Sequence, residues 1–121
     1  KPIARIVSFG DGEQAPAWFT TAPTIAAPVA LKRAGIEMKD ISFFEINEAF
    51  AAQALYCIHK LGIDLNKVNP RGGAIALGHP LGCTSARQVA TILRELKKDQ
   101  IGVVSMCIGT GMGAAAIFIK E

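Results

Sequence analysis

Apolar and polar positions divide the chain into short runs with two different periods. The segment Ile3-Ala4-Arg5-Ile6-Val7-Ser8-Phe9 is rich in β-branched residues and reads as a strand. Gly10 to Pro23 shows no period and reads as a loop carrying the only tryptophan, Trp18. Thr24 to Ala34 reads as a short helix, with Pro28 within it or near its start and Gly35 as its stop. Ile41 to Ile46 is a compact apolar strand. At its end the apolar spacing changes from two to about 3.6 residues, which predicts a helix from about Glu48 to Leu61. Asn47 suits the cap of that helix, Glu48 its positive end and Gly62 a left-handed stop.

Projected as a helix, Phe50, Ala51, Ala54, Leu55, Cys57, Ile58 and Leu61 fall on one side. Glu48, Gln53, Tyr56, His59 and Lys60 fall on the other, so Cys57 belongs to the core and His59 to the solvent face. Arg71 to Pro80 is glycine-rich and leads into a second helix, roughly Cys83 to Lys98. Its expected buried stripe is Ser85, Val89, Ile92 and Leu96, flanked by Ala86, Ala90 and Leu93, with Lys97 and Lys98 at the negative end. Ile101 to Ile108 and Ala114 to Ile119 read as two strands joined by a glycine turn. The alternation predicts an α/β fold: a mixed, mostly parallel sheet with helices packed on its faces and a C-terminal antiparallel strand pair.

Composition narrows the class. With 121 residues, half of them apolar, the chain fits one domain over residues 1–121 that needs no disulfide or metal to build a core. A net charge of +3 with scattered basic residues argues against a nucleic-acid partner. The uncharged stretch Ile101 to Ile119 has the length of a membrane span, but its glycines and β-branched clusters favour two buried strands. Three widely spaced cysteines fit a reducing compartment. Neither C-x-x-C nor H-x-x-x-H occurs, so no metal site is expected. The chain enters strand-like sequence directly from Lys1 and reads as a piece of a longer one.

Three strand-to-loop junctions carry polar or reactive groups: Asn47, His79 and Cys107. Each has a plain alternative, namely a helix cap, a turn residue and a small buried hydrophobe. His79 stands between Gly78 and Pro80, just ahead of a helix N-terminus that disfavours its cation, so a neutral imidazole is available for proton transfer or for an oxyanion. Cys107 is followed by Ile108-Gly109-Thr110-Gly111, whose small residues leave backbone N–H groups free. Its thiol can act as acid or base if its pKa is drawn toward neutrality. A Cys107–His79–Asn47 hydrolase triad is a second enzymatic reading, and a non-catalytic binding or dimerisation module is a third.

The blocks Asn47-Glu48-Ala49-Phe50-Ala51, Gly72 to Gly82 with its Gly78-His79-Pro80 centre, and Cys107-Ile108-Gly109-Thr110-Gly111-Met112-Gly113 resemble, in order and spacing, the signature blocks of the C-terminal half of thiolases. The resemblance implies a thiolase C-terminal catalytic domain whose nucleophile half lies elsewhere. It implies thiolytic cleavage of 3-ketoacyl-CoA in β-oxidation, or the reverse condensation, with coenzyme A and acyl-CoA as substrates and no permanently bound cofactor. From Ile41 onward the pattern looks most like peroxisomal degradative thiolases, whereas Ala15 to Pro23 looks more like acetoacetyl-CoA thiolases. By resemblance His79 activates the nucleophile and, with a water held by Asn47, serves one oxyanion site. Cys107 moves the α-proton, and the Gly109 N–H contributes to a second oxyanion site. The family further implies a dimer or tetramer when complete, and a peroxisomal, cytosolic or mitochondrial location. The family usually has Gly where Ser85 stands, which puts local packing in question.

Overall fold

The computed structural model describes residues 1–121. Strand β1 (Ala4–Glu13) runs beyond the predicted end at Phe9 and takes in the first residues expected to be loop. It does so because the partner strand is equally long: Glu13 still pairs with Met112. Gly10 and Gly12 are strand residues lying under a helix, where a Cβ would come within 2.5 Å of Ala30 N and 2.8 Å of Ala26 N respectively. Helix α1 (Pro23–Ala34) begins on a proline, tolerates Pro28 on its exposed side and ends at left-handed Gly35.

Strand β2 (Phe43–Ile46) is followed by α2 (Ala51–Leu61), a single-turn helix α3 (Ala74–Leu77) and α4 (Thr84–Glu95). Strands β3 (Ile101–Ile108) and β4 (Met112–Lys120) are joined through a 3-10 turn at Gly109–Gly111. The sheet order is β1-β4-β3-β2. The α/β class and the β3–β4 antiparallel pair are as expected, but the sheet is not mostly parallel. Only β2–β3 is parallel, while β1–β4 and β3–β4 are antiparallel. A single crossover, from β2 through the helices to β3, can produce only one parallel pair, and β1 fills the far edge in the opposite sense.

Helices α1 and α2 cover one face. Ala26, Ala30, Leu31, Cys57 and Ile58 pack there on Phe44, Ile46, Val103 and Ile117 within one buried cluster. Helix α4 covers the other face, where Ile92 and Leu96 meet Val104 and Phe118. Strand alternation sorts the residues accordingly.

Two helix faces differ from expectation. On α2, Gln53 is buried while Leu55, and Phe50 just ahead of the helix, are more than half exposed. On α4, Ile92 and Leu96 are buried as expected, but Thr84 and Gln88 take the inward places of Ser85 and Val89, so the N-terminal half of the stripe is displaced by one residue. Its buried positions near the N-terminus are polar because they face Glu45 and the end of β2, and phasing by apolar residues alone misses them. No helix is long and apolar enough to cross a membrane.

Candidate functional site

Strand β2 delivers Asn47. Its backbone N–H donates to Ser105 O at 2.9 Å, which continues the parallel ladder one step past the strand and leaves the side chain buried. Asn47 is not a helix cap: α2 starts at Ala51, and the preceding Phe50 makes no side-chain cap bond. The Asn47 side chain instead turns to His79, with Nδ2 at 3.3 Å from Nε2.

His79 sits in the loop between α3 and α4, entered through Gly78 at φ +91°, a conformation that favours glycine. Its Nδ1 is hydrogen-bonded to Thr84 Oγ1 on the first turn of α4. Thr84 Oγ1 also lies 3.3 Å from Pro80 O, and with its one proton directed there it accepts from Nδ1–H. That arrangement places a proton on Nδ1 and turns Nε2 toward the Asn47 amide. Asn47 Oδ1 has no partner within the chain. Thr84 went unnoticed in the sequence, where only its place five residues after His79, at a helix start, marked it.

Beneath this pair lies a buried polar layer. Arg87 Nη1 donates to Glu45 Oε2 at 2.6 Å, and Gln88 Nε2 donates to Glu45 O at 3.0 Å and to Ser105 O at 3.3 Å. Burial pushes the Glu45 carboxyl up from 4.5 to about 6, against the opposing pull of Arg87. Glu48 does not serve the α2 dipole. Its carboxylate accepts from Asn69 Nδ2 at 2.9 Å and from the Ile75 N–H at 3.0 Å.

Cys107 is the next-to-last residue of β3, opposite Gly113 on β4. Because Ile46 pairs with Ser105 in the parallel ladder, Asn47 and Cys107 emerge at the same end of neighbouring strands. Burial pushes the Cys107 thiol above 9.0. The condition of a pKa drawn toward neutrality is not met, because the thiol is half-buried and no cation offsets its desolvation. His79 is hydrogen-bonded to Asn47 and Thr84 and makes no hydrogen bond to Cys107, so Cys107, His79 and Asn47 are not arranged as a hydrolase triad. Gly109 starts the turn after β3 and faces open space on its Cβ side. The turn is fixed through the left-handed Thr110 and Gly111, and Gln14 N–H donates to Gly111 O at 2.9 Å.

The family model for the thiolase C-terminal domain matches residues 1–120. The chain belongs to the thiolase family. This thiolase domain is 73% identical over 119 residues to the peroxisomal 3-ketoacyl-CoA thiolase of Saccharomyces cerevisiae, covering 98% of this chain and 28% of that protein. It therefore spans little more than a quarter of that curated relative. The crystal structure of the dimeric peroxisomal thiolase of the same yeast superposes with a TM-score of 0.98 at 72% identity, over all of this chain and 31% of the other. A thiolase of Ascaris suum in complex with coenzyme A superposes at 0.97 with 42% identity, over all of this chain and 32% of the other.

Proposed function

We propose that residues 1–121 form the acid–base domain of a degradative 3-ketoacyl-CoA thiolase, completed by an N-terminal half that carries the nucleophilic cysteine. The observation that carries this reading is the Asn47–His79 pair, with its tautomer set by Thr84, at the strand end shared with Cys107. The 73% identity to a peroxisomal 3-ketoacyl-CoA thiolase supports the degradative substrate class and a peroxisomal location.

In the proposed cycle His79 Nε2 takes the proton of the nucleophilic thiol, which attacks the 3-keto carbon of the substrate. The oxyanion formed there is met by the Asn47–His79 site. The bond between C2 and C3 breaks, the electron pair passes to the acetyl α-carbon, and Cys107 gives that carbon its proton. A raised pKa suits this step, since the thiol must arrive protonated. The Gly109 N–H stabilises the enolate oxygen. The Cys107 thiolate then takes the proton of coenzyme A, whose sulfur attacks the acyl-enzyme. The departing enzyme thiolate recovers its proton from His79. Coenzyme A and acyl-CoA act as substrates, without a resident cofactor. Trp18, Phe50, Leu55, Ile75, Leu77 and Leu81 are exposed and offer surface to the other half or to a second copy.

The test is a chimera in which this chain replaces the matching region of the yeast enzyme. Saturable 3-ketoacyl-CoA cleavage is expected. A folded chimera without cleavage, beside an active yeast parent, would overturn the reading.

A further inference from the structure

We propose that Glu48 and Asn69 form a clasp that sets the distance between Asn47 and His79, making both of them positioning residues. For its kinetic consequence the inference rests on the acyl-transfer reading above.

Strand β2 is an edge strand, and its open side is partly covered by Val68, which bridges Phe44 in parallel, and by Asn69 N–H, which donates to Phe44 O at 2.8 Å. There the backbone turns away, with Asn69 in the left-handed region at φ +47°. The side chain continues the ladder in its place: Asn69 Oδ1 accepts from the Ile46 N–H at 3.0 Å, and Nδ2 donates to Ile46 O at 2.8 Å. The second Nδ2 hydrogen goes to Glu48 Oε1 at 2.9 Å. The other Glu48 oxygen takes the Ile75 N–H at 3.0 Å. The carboxylate lies so close over Gly73 that a Cβ there would fall within 2.2 to 2.5 Å of it.

These bonds connect the residues on either side of Asn47 to the loop that leads into His79. Asn47 and His79 come from segments 32 residues apart and meet at 3.3 Å. Thr84 secures the far side of the imidazole, and the Glu48–Ile75 bond joins the end of β2 to α3, four residues ahead of His79. The carboxylate is chemically required, because Glu48 must accept from two donors at once. A glutamine at that position would turn an amide N–H toward one of them.

The experiment uses the yeast chimera with Glu48→Gln, Asn69→Asp and the double variant. Each single change sets like groups face to face. The double restores a donor on residue 48 against an acceptor on residue 69, while the Asn69 Nδ2 bond to Ile46 O stays lost. Two quantities are read: kcat per acylatable site, and the two His79 ring-nitrogen NMR shifts. Each single variant is expected to lose about 10- to 100-fold in kcat per site with KM changed by less than about threefold, as for a displaced catalytic group. The separated ring-nitrogen signals should move toward the tautomer average, and the double variant should recover part of both. Single variants with parental kcat per site and parental ring signals would overturn the clasp, as would a double variant no better than Asn69→Asp, with which it shares the lost bond to Ile46 O. A folded parent chimera without cleavage would defeat the acyl-transfer reading alone, since the ring signals still decide the clasp.

Discussion

On the α1–α2 side of the sheet, 13 buried residues form one apolar cluster that includes Phe44, Ile46, Val103 and Ile117. On the α4 side the buried apolar cluster has four residues, and beside it lie the buried polar groups Glu45, Asn47, Thr84 and Gln88. One sheet thus presents two unlike faces. The first gains from close packing and burial of hydrocarbon. The second gives up part of that gain to hold polar groups that must each be paired or bear a desolvation cost. The Asn47–His79 pair grows out of the second face, and the first supplies the rigid platform that keeps its strands in register.

The comparison is broken most severely on the apolar side. Phe44→Ala removes a fully buried ring and should cost about 3–5 kcal/mol in chemical denaturation, with kcat per remaining folded site unchanged. On the polar side Arg87→Ala leaves the Glu45 carboxylate buried without its partner, at a cost of about 3 kcal/mol near neutral pH. The pH dependence separates the two variants. The Arg87→Ala loss should shrink as pH falls toward about 6, because without Arg87 the Glu45 carboxyl takes up its proton at a still higher pH, whereas the Phe44→Ala loss should not change.

A smaller effect belongs to the unmodified chain. The folded pKa of Glu45, about 6, lies above its ordinary 4.5, so between these values the native state keeps a proton that the unfolded chain has lost. Stability should therefore fall as pH rises from 4.5 to about 6 and lose no more to this group above that, a change of about 2 kcal/mol by linkage. Denaturant midpoints across that range, with Glu45→Gln as the control without this slope, check the sign. The smallest effect is at Ser85, which is exposed on α4. Ser85→Gly should cost about 0.5 kcal/mol from helix propensity alone, a change visible in the denaturant midpoint. A buried hydroxyl of the kind expected from the helical projection would have made the change larger and of opposite sign.

The apolar face was legible in the sequence because its residues repeat with the periods of strand and helix. The positions of β2, β3 and β4, the stops at Gly35 and Gly62 and the core placement of Cys57 all follow from that. The polar face was legible only in part. Asn47, His79 and Cys107 stood out as polar or reactive groups at strand ends, and the family resemblance gave them roles. Thr84, Gln88 and Glu48 did not, because each looked like ordinary helix surface or helix capping. Their partners, His79, the β2 and β3 carbonyls and the Ile75 N–H, are brought near only by the crossover. Gly10 and Gly12 were misread as loop for a related reason: the helix that crowds them lies elsewhere in the sequence.

The central claim is that His79 and Cys107 perform separate steps, and trapping the acyl-enzyme tests it most directly. His79→Ala and Cys107→Ala chimeras are mixed with acyl-CoA, quenched and weighed by mass spectrometry. The account predicts that Cys107→Ala acylates normally but fails at carbon–carbon cleavage, while His79→Ala acylates about 10²- to 10⁴-fold more slowly. Normal acylation of His79→Ala with none in Cys107→Ala would reverse the assignments, and equal acylation in both would remove the division of labour.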